Sequence, residues 1–122
     1  MRNLALIAIA FAACSKGSGA SSKDGVASAW KKGGLEATPF AAAKVDVGSD
    51  CATSTVNKLD VLVCTFKSEK DAKDAEEKGL QWVGDNTGAS KAQGSVLIVV
   101  ADRKKVDPHG KVINQVVTLP AN

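Results

Sequence analysis

Three cysteines, one histidine and a scatter of carboxylates are the side chains of this 122-residue chain equipped for covalent or acid–base chemistry. Cys14 ends an apolar run, whereas Cys51 and Cys64 lie inside CATSTVNKLDVLVCTF. Two strand-like runs there flank Asn57-Lys58, which reads as a two-residue hairpin turn. Val56 then faces Leu59, and counting outward places Cys51 opposite Cys64 in a non-hydrogen-bonded pair. Cα atoms in such pairs approach to about 4.5 Å, within reach of a disulfide. A bridge closing so short a loop would contribute about 3 kcal/mol, a large share of what a small domain holds in reserve. The competing reading makes the pair a redox switch or the centre of an enzymatic module, since a strained bridge is easier to reduce. Against it, there is no Cys-x-x-Cys and no flanking group that would lower a thiol pKa.

Other chemistry is sparse. His109, in Asp107-Pro108-His109-Gly110, is the single histidine and reads as an exposed first-turn residue, so no metal set is expected. Gly84-Asp-Asn-Thr-Gly88-Ala-Ser-Lys91 lacks the Gly-Lys-Ser/Thr end of a phosphate loop and follows a helix rather than a strand. No Gly-x-Ser-x-Gly elbow accompanies the histidine. Asp46 and Asp50 read as a turn, Glu76 and Glu77 as a solvated helix face. The expectation is no catalytic residue, no cofactor and no metal. Polar residues the fold does not obviously need cluster at Asp85, Asn86, Arg103, Lys104 and Lys105. With Trp82, which suits either the core or a partly exposed anchor, they are the candidates for partner contact. The two groups flank the last strand on opposite sides in sequence, so a shared surface is not required.

The first two dozen residues have their own logic. Arg2 and the run Leu4 to Ala13 have the charge and length of a signal peptide, and the run is too short to span a bilayer as a helix. An ordinary secretory signal or an N-terminal core segment would also account for it. Phe11-Ala12-Ala13-Cys14 resembles the lipobox of bacterial lipoproteins, with Phe in place of the usual Leu. That resemblance implies cleavage after residue 13, acylation of Cys14 and anchorage in a membrane. Ser15, rather than Asp, after the cysteine implies the outer membrane of a Gram-negative cell. Residues 15–23, SKGSGASSK, form a flexible tether reaching about 15–18 Å. The organisation expected is therefore a signal at 1–13, a lipidated cysteine and tether at 14–23, and one domain at 24–122.

Composition constrains that domain. Hydrophobic residues are 44% and charged residues 24%, ordinary for a globular chain, while aromatics are only 4%, so the core is aliphatic. The net charge of +3 is too balanced for nucleic-acid binding. Asp24 to Lys32 reads as a helix stopped by Gly33-Gly34. Thr38-Pro39 reads as the start of a short helical turn over Phe40 to Lys44. Ser68-Glu69-Lys70-Asp71 opens a helix reaching Val83 or ending near Gly79, and 84–94 reads as a loop with a turn at 89–92. VLIVV at 96–100 has the apolar continuity of a strand buried on both faces. Asp107-Pro108 would cap a closing helix. The fold class expected is α+β: a small three-stranded mixed sheet, extended if 45–47 joins it, built from the hairpin and one βαβ crossover from 59–66 to 95–101, with helices packed on it.

The elements LDVLVC, WVGDNTG and VADRKKVDPHG resemble short uncharacterised lipoproteins of proteobacteria, a resemblance that implies location but no activity. Two functions stay open: a non-catalytic envelope lipoprotein binding a protein or cell-wall partner near the membrane, or a redox-responsive or enzymatic periplasmic module working through Cys51 and Cys64.

Overall fold

The computed structural model describes residues 22–121; the signal region, Cys14 and nearly all of the tether lie outside them. Helix α1 (Lys23–Lys32) opens with Ser22 accepting a hydrogen bond from the Gly25 N–H, the cap that satisfies a first-turn donor. Five strands follow: β1 (Ala41–Val45), β2 (Gly48–Val56), β3 (Leu59–Thr65), β4 (Thr87–Gln93) and β5 (Val96–Asp102). Between β3 and β4 run α2 (Glu69–Asp74) and α3 (Glu76–Val83), which meet at Ala75, and α4 (Lys111–Thr118) closes the chain with a short 3-10 turn.

The sheet is ordered β1-β2-β3-β5-β4, and every neighbouring pair is antiparallel. The expected three-stranded mixed sheet is therefore wrong in strand number and direction. Val96–Asp102 runs antiparallel to β3, not parallel. The crossover through α2 and α3 leads instead to β4, at the sheet edge, and a two-residue turn at Gly94-Ser95 returns the chain into the gap between β4 and β3. Gly94 has φ 63°, the left-handed conformation such a turn uses. The span read as a loop is thus a strand. Phe40 to Lys44, read as a helical turn, lies almost wholly in strand β1, because pairing with β2 outweighs the helical preference of alanine. Asp46-Val47 is the turn joining β1 to β2, so 45–47 does not extend the sheet as a further strand.

The helix from Ser68 begins as its capping sequence indicates, with Ser68 Oγ accepting from the Asp71 N–H at 3.1 Å, but breaks at Ala75. The start of α4 differs too. Gly110, φ 73°, is its N-cap residue, while Asp107, three residues earlier, accepts the Ile113 N–H at 2.8 Å.

Helices cover both faces. On the first, α1 and α4 enclose Val26, Trp30, Val61, Val63, Ile98, Val100 and Val116. Trp30 is fully buried and its indole N–H donates to the Val116 carbonyl at 2.8 Å. On the second, α2 and α3 cover Leu62, Leu97, Val99 and Ala101, toward β5 and β4. All of β5 is buried, as its unbroken apolar run indicates.

Candidate functional site

The β2–β3 hairpin has the register that its turn implies. Asn57 and Lys58 both take positive φ, 48° and 73°, as a primed hairpin turn requires. Val56 faces Leu59, and Cys51 faces Cys64. The two cysteines form a disulfide, with Cα atoms 4.0 Å apart. Both are buried on the second face, and the Phe66 ring lies so near Gly48, beside Cys51, that a Cβ there would meet it at 3.0 Å. Access governs thiol exchange, and this packing denies it.

A second gathering of side chains lies at the other end of the hairpin. Arg103, just past β5, stacks over Trp82 in the last turn of α3, its guanidinium carbon 4.7 Å from the ring centroid, a cation–π contact. The same guanidinium donates to the Trp82 carbonyl at 3.0 Å and pairs with the Asp60 carboxylate of β3 at 3.2 Å. Arg103 and Asp60 are each about two-fifths exposed (38% and 42%), so their charge attraction is screened and small. Stacking and the carbonyl bond supply the rest of what places the arginine.

Local folding explains how these residues meet. Antiparallel pairing sets Thr87 opposite Asp102, which brings the turn before β4 to the turn after β5. Asn86 donates to the Val83 carbonyl at 2.9 Å, closing the C-terminal end of α3. Asp102, buried, accepts the N–H groups of Val106 and Asp107, both at 2.9 Å. It thereby shapes the Arg103-Lys104-Lys105 turn, where Lys105 takes φ 57°. Of the six residues singled out from sequence, Trp82 and Arg103 touch. Asn86 serves the turn between them. Asp85, Lys104 and Lys105 are exposed at the same end of the sheet. His109 is exposed as well.

Sequence reading missed Asp60 and Glu76. The alternation of LDVLVC puts Asp60 on the face of Leu62 and Cys64, a signal that was available. Glu76, read as solvated, accepts the Ala92 N–H of β4 at 2.8 Å, a tertiary contact invisible along the chain.

Two clefts flank Trp82 on the second face. One, of about 360 Å³, is lined by Pro39, Ala41, Thr53, Thr55 and Asp60; the other, of about 390 Å³, by Lys44, Val45, Asp46, Lys78 and Gln81. Indole, guanidinium, carboxylate and threonine hydroxyls together suit recognition by stacking and hydrogen bonds. Among the described residues no three His, Cys, Asp or Glu side chains are grouped to hold a metal ion, and no helix is long and apolar enough to cross a membrane. No protein-family model, curated protein or solved structure matches the chain.

Proposed function

We propose that this chain is a lipid-anchored protein of the cell envelope, held through acylated Cys14 at the outer membrane of a Gram-negative cell. Its folded domain serves as a non-catalytic binding module for an envelope protein or a cell-wall component. The observation that carries the reading is the fate of the cysteines. Of three in the chain, two are consumed in a buried disulfide, a bond that persists in oxidising, exported compartments. Cys14 is left, at the end of an apolar run and preceded by two alanines, where a lipid-modifying pathway acts. Two or three acyl chains hold a protein at a membrane essentially permanently. A short tether then gives the domain a high effective concentration toward anything fixed at that surface. Trp82, half-buried under Arg103 between two clefts, is the residue the binding role rests on.

Intact mass spectrometry of the protein from its native membrane, alkylated without reduction, tests the anchor. The expected chain begins at Cys14, carries two or three acyl groups, and takes no label at Cys51 or Cys64. A chain that retains residues 1–13 and labels at all three cysteines would overturn the reading and return attention to thiol chemistry.

A further inference from the structure

The two edges of the sheet are finished differently. Counting from the closing pair Gln93–Val96, Ala92 of β4 turns its N–H away from β5. That donor is satisfied by the Glu76 carboxylate at 2.8 Å, and α3 packs closely enough there that Gly79 lies against Ser90. Glu76 thus takes up one outward donor of this edge.

The β1 edge differs. In the β2–β3 ladder Cys51 and Thr53 belong to non-hydrogen-bonded pairs, so their N–H and C=O groups turn toward β1, where Ala43 and Ala41 meet them. Ala42, between those two, consequently directs its N–H and C=O out of the sheet. Among the described residues no turn, loop or side-chain hydrogen bond reaches either group. Ala41 and Ala42 are exposed and carry nothing beyond Cβ to shield the strand. Edges are usually blunted by charge, proline or a bulge. Here Pro39 stands before the strand and the Lys44 irregularity at its far end, leaving the middle bare. Ala41 and Val45 also form the near walls of the two clefts beside Trp82.

We propose that the β1 edge, centred on Ala42, binds an extended peptide segment of a partner protein, which adds as a sixth strand and sets alternate apolar side chains into the clefts on either side of Trp82. The exposed backbone identifies the ligand: a free N–H and C=O on a strand edge are complemented by another extended backbone, and the clefts supply selectivity at every second residue. This deepens the binding role proposed above by naming the ligand's chemistry. It does not depend on acylation of Cys14, so its failure and that of the anchor are separately visible.

The test selects dodecapeptides from a random display library on the full chain in detergent, then measures their affinity by fluorescence. Selected peptides should show apolar residues at alternate positions. Ala42→Pro, which removes a donor that β2 does not use, should weaken them about tenfold or more while the melting temperature stays near that of the parent. Should that variant fail to fold, N-methylated peptides decide on the unaltered protein. Methylation at alternate residues in one phase should abolish binding, and in the other phase leave it intact. Equal binding by both phases, equal binding by folded Ala42→Pro, or no enrichment of any peptide would overturn the proposal. So would a concentration-dependent dimer abolished by Ala42→Pro, because the edge would then belong to a second copy of the chain.

Discussion

The two faces of the sheet share three central strands yet are built to different ends. The first is closed by α1 and α4 over a nearly pure aliphatic stock, with one tryptophan, Trp30, fully buried and its N–H satisfied. The second is closed only over β5 and β4; toward β1 it carries the disulfide, threonines and a tryptophan left half-buried beneath an arginine. The same residue type thus sits in two environments. Trp30 supplies stability, because its whole surface leaves water. Trp82 keeps accessible surface, at some cost in stability. The disulfide belongs to the open side, where helices supply least.

Exchanging the tryptophans for alanine is the strongest way to break that contrast. Trp30→Ala should destabilise by about 3–5 kcal/mol, through the lost ring and the cavity it leaves, and the Val116 carbonyl would lose its donor. Trp82→Ala should cost about 1–2 kcal/mol, the cation–π contact and partial burial together. Urea titrations of both variants decide it, and equal losses would mean that the second face is as sealed as the first. Next in size is the bridge: Cys51→Ala with Cys64→Ala should lower stability by about 3 kcal/mol, with the fold retained because the hairpin keeps its turn and register. A loss near zero would show that the open half is held by strand pairing alone.

How far the sequence foretells this arrangement depends on where the deciding information sits. The hairpin is legible because its turn and paired cysteines lie within one continuous stretch, and β5 because VLIVV admits no other comfortable environment. TGASKAQ offers no such signal: its one β-branched residue is Thr87, and it is a strand because Gly94 turns β5 back along it. AAAKV misleads for the converse reason, since alanines after Thr-Pro favour a helix locally and only β2 makes them extended. Trp82 and Arg103 are individually visible as unplaced residues. Their meeting is not, because it follows from the Thr87–Asp102 pairing of a strand the sequence does not announce. Strand direction fails for the same cause: with β4 hidden, the crossover has nowhere to land except β5.

A subtler pair of substitutions sharpens the comparison on the covered part of the second face. A Cβ on Gly79 would stand 2.8 Å from Val99 Cγ2 and closer still to Ser90, so Gly79→Ala should destabilise by about 1–3 kcal/mol despite improving helix propensity. Ser90 Oγ is buried and has no hydrogen-bond partner among the described residues. Ser90→Ala should therefore be neutral or stabilising by up to about 1 kcal/mol, and should relieve part of the Gly79→Ala penalty when combined. Additive effects in that double variant, measured by the same titrations, would mean that the two residues do not share the contact.

The smallest effect concerns the rim of the sealed face, where α1 begins. Lys23 Nζ lies 2.7 Å from the Asp50 carboxylate, which also accepts the Thr65 hydroxyl. The Lys23 hydrogen bond, then that from Thr65, holds the Asp50 carboxyl below its ordinary range. A carboxylate depressed on folding stabilises the native state above its unfolded pKa and loses that contribution as pH falls through the folded value. The window accordingly opens near pH 4, at the usual aspartate value, and extends to more acid conditions. Asp50→Asn should leave a shallower acid limb than the parent shows across that window, and raised salt should shrink the difference, since the pair faces water. Parallel acid limbs at low salt would show that the ion pair adds nothing, and that aliphatic packing alone closes the first face.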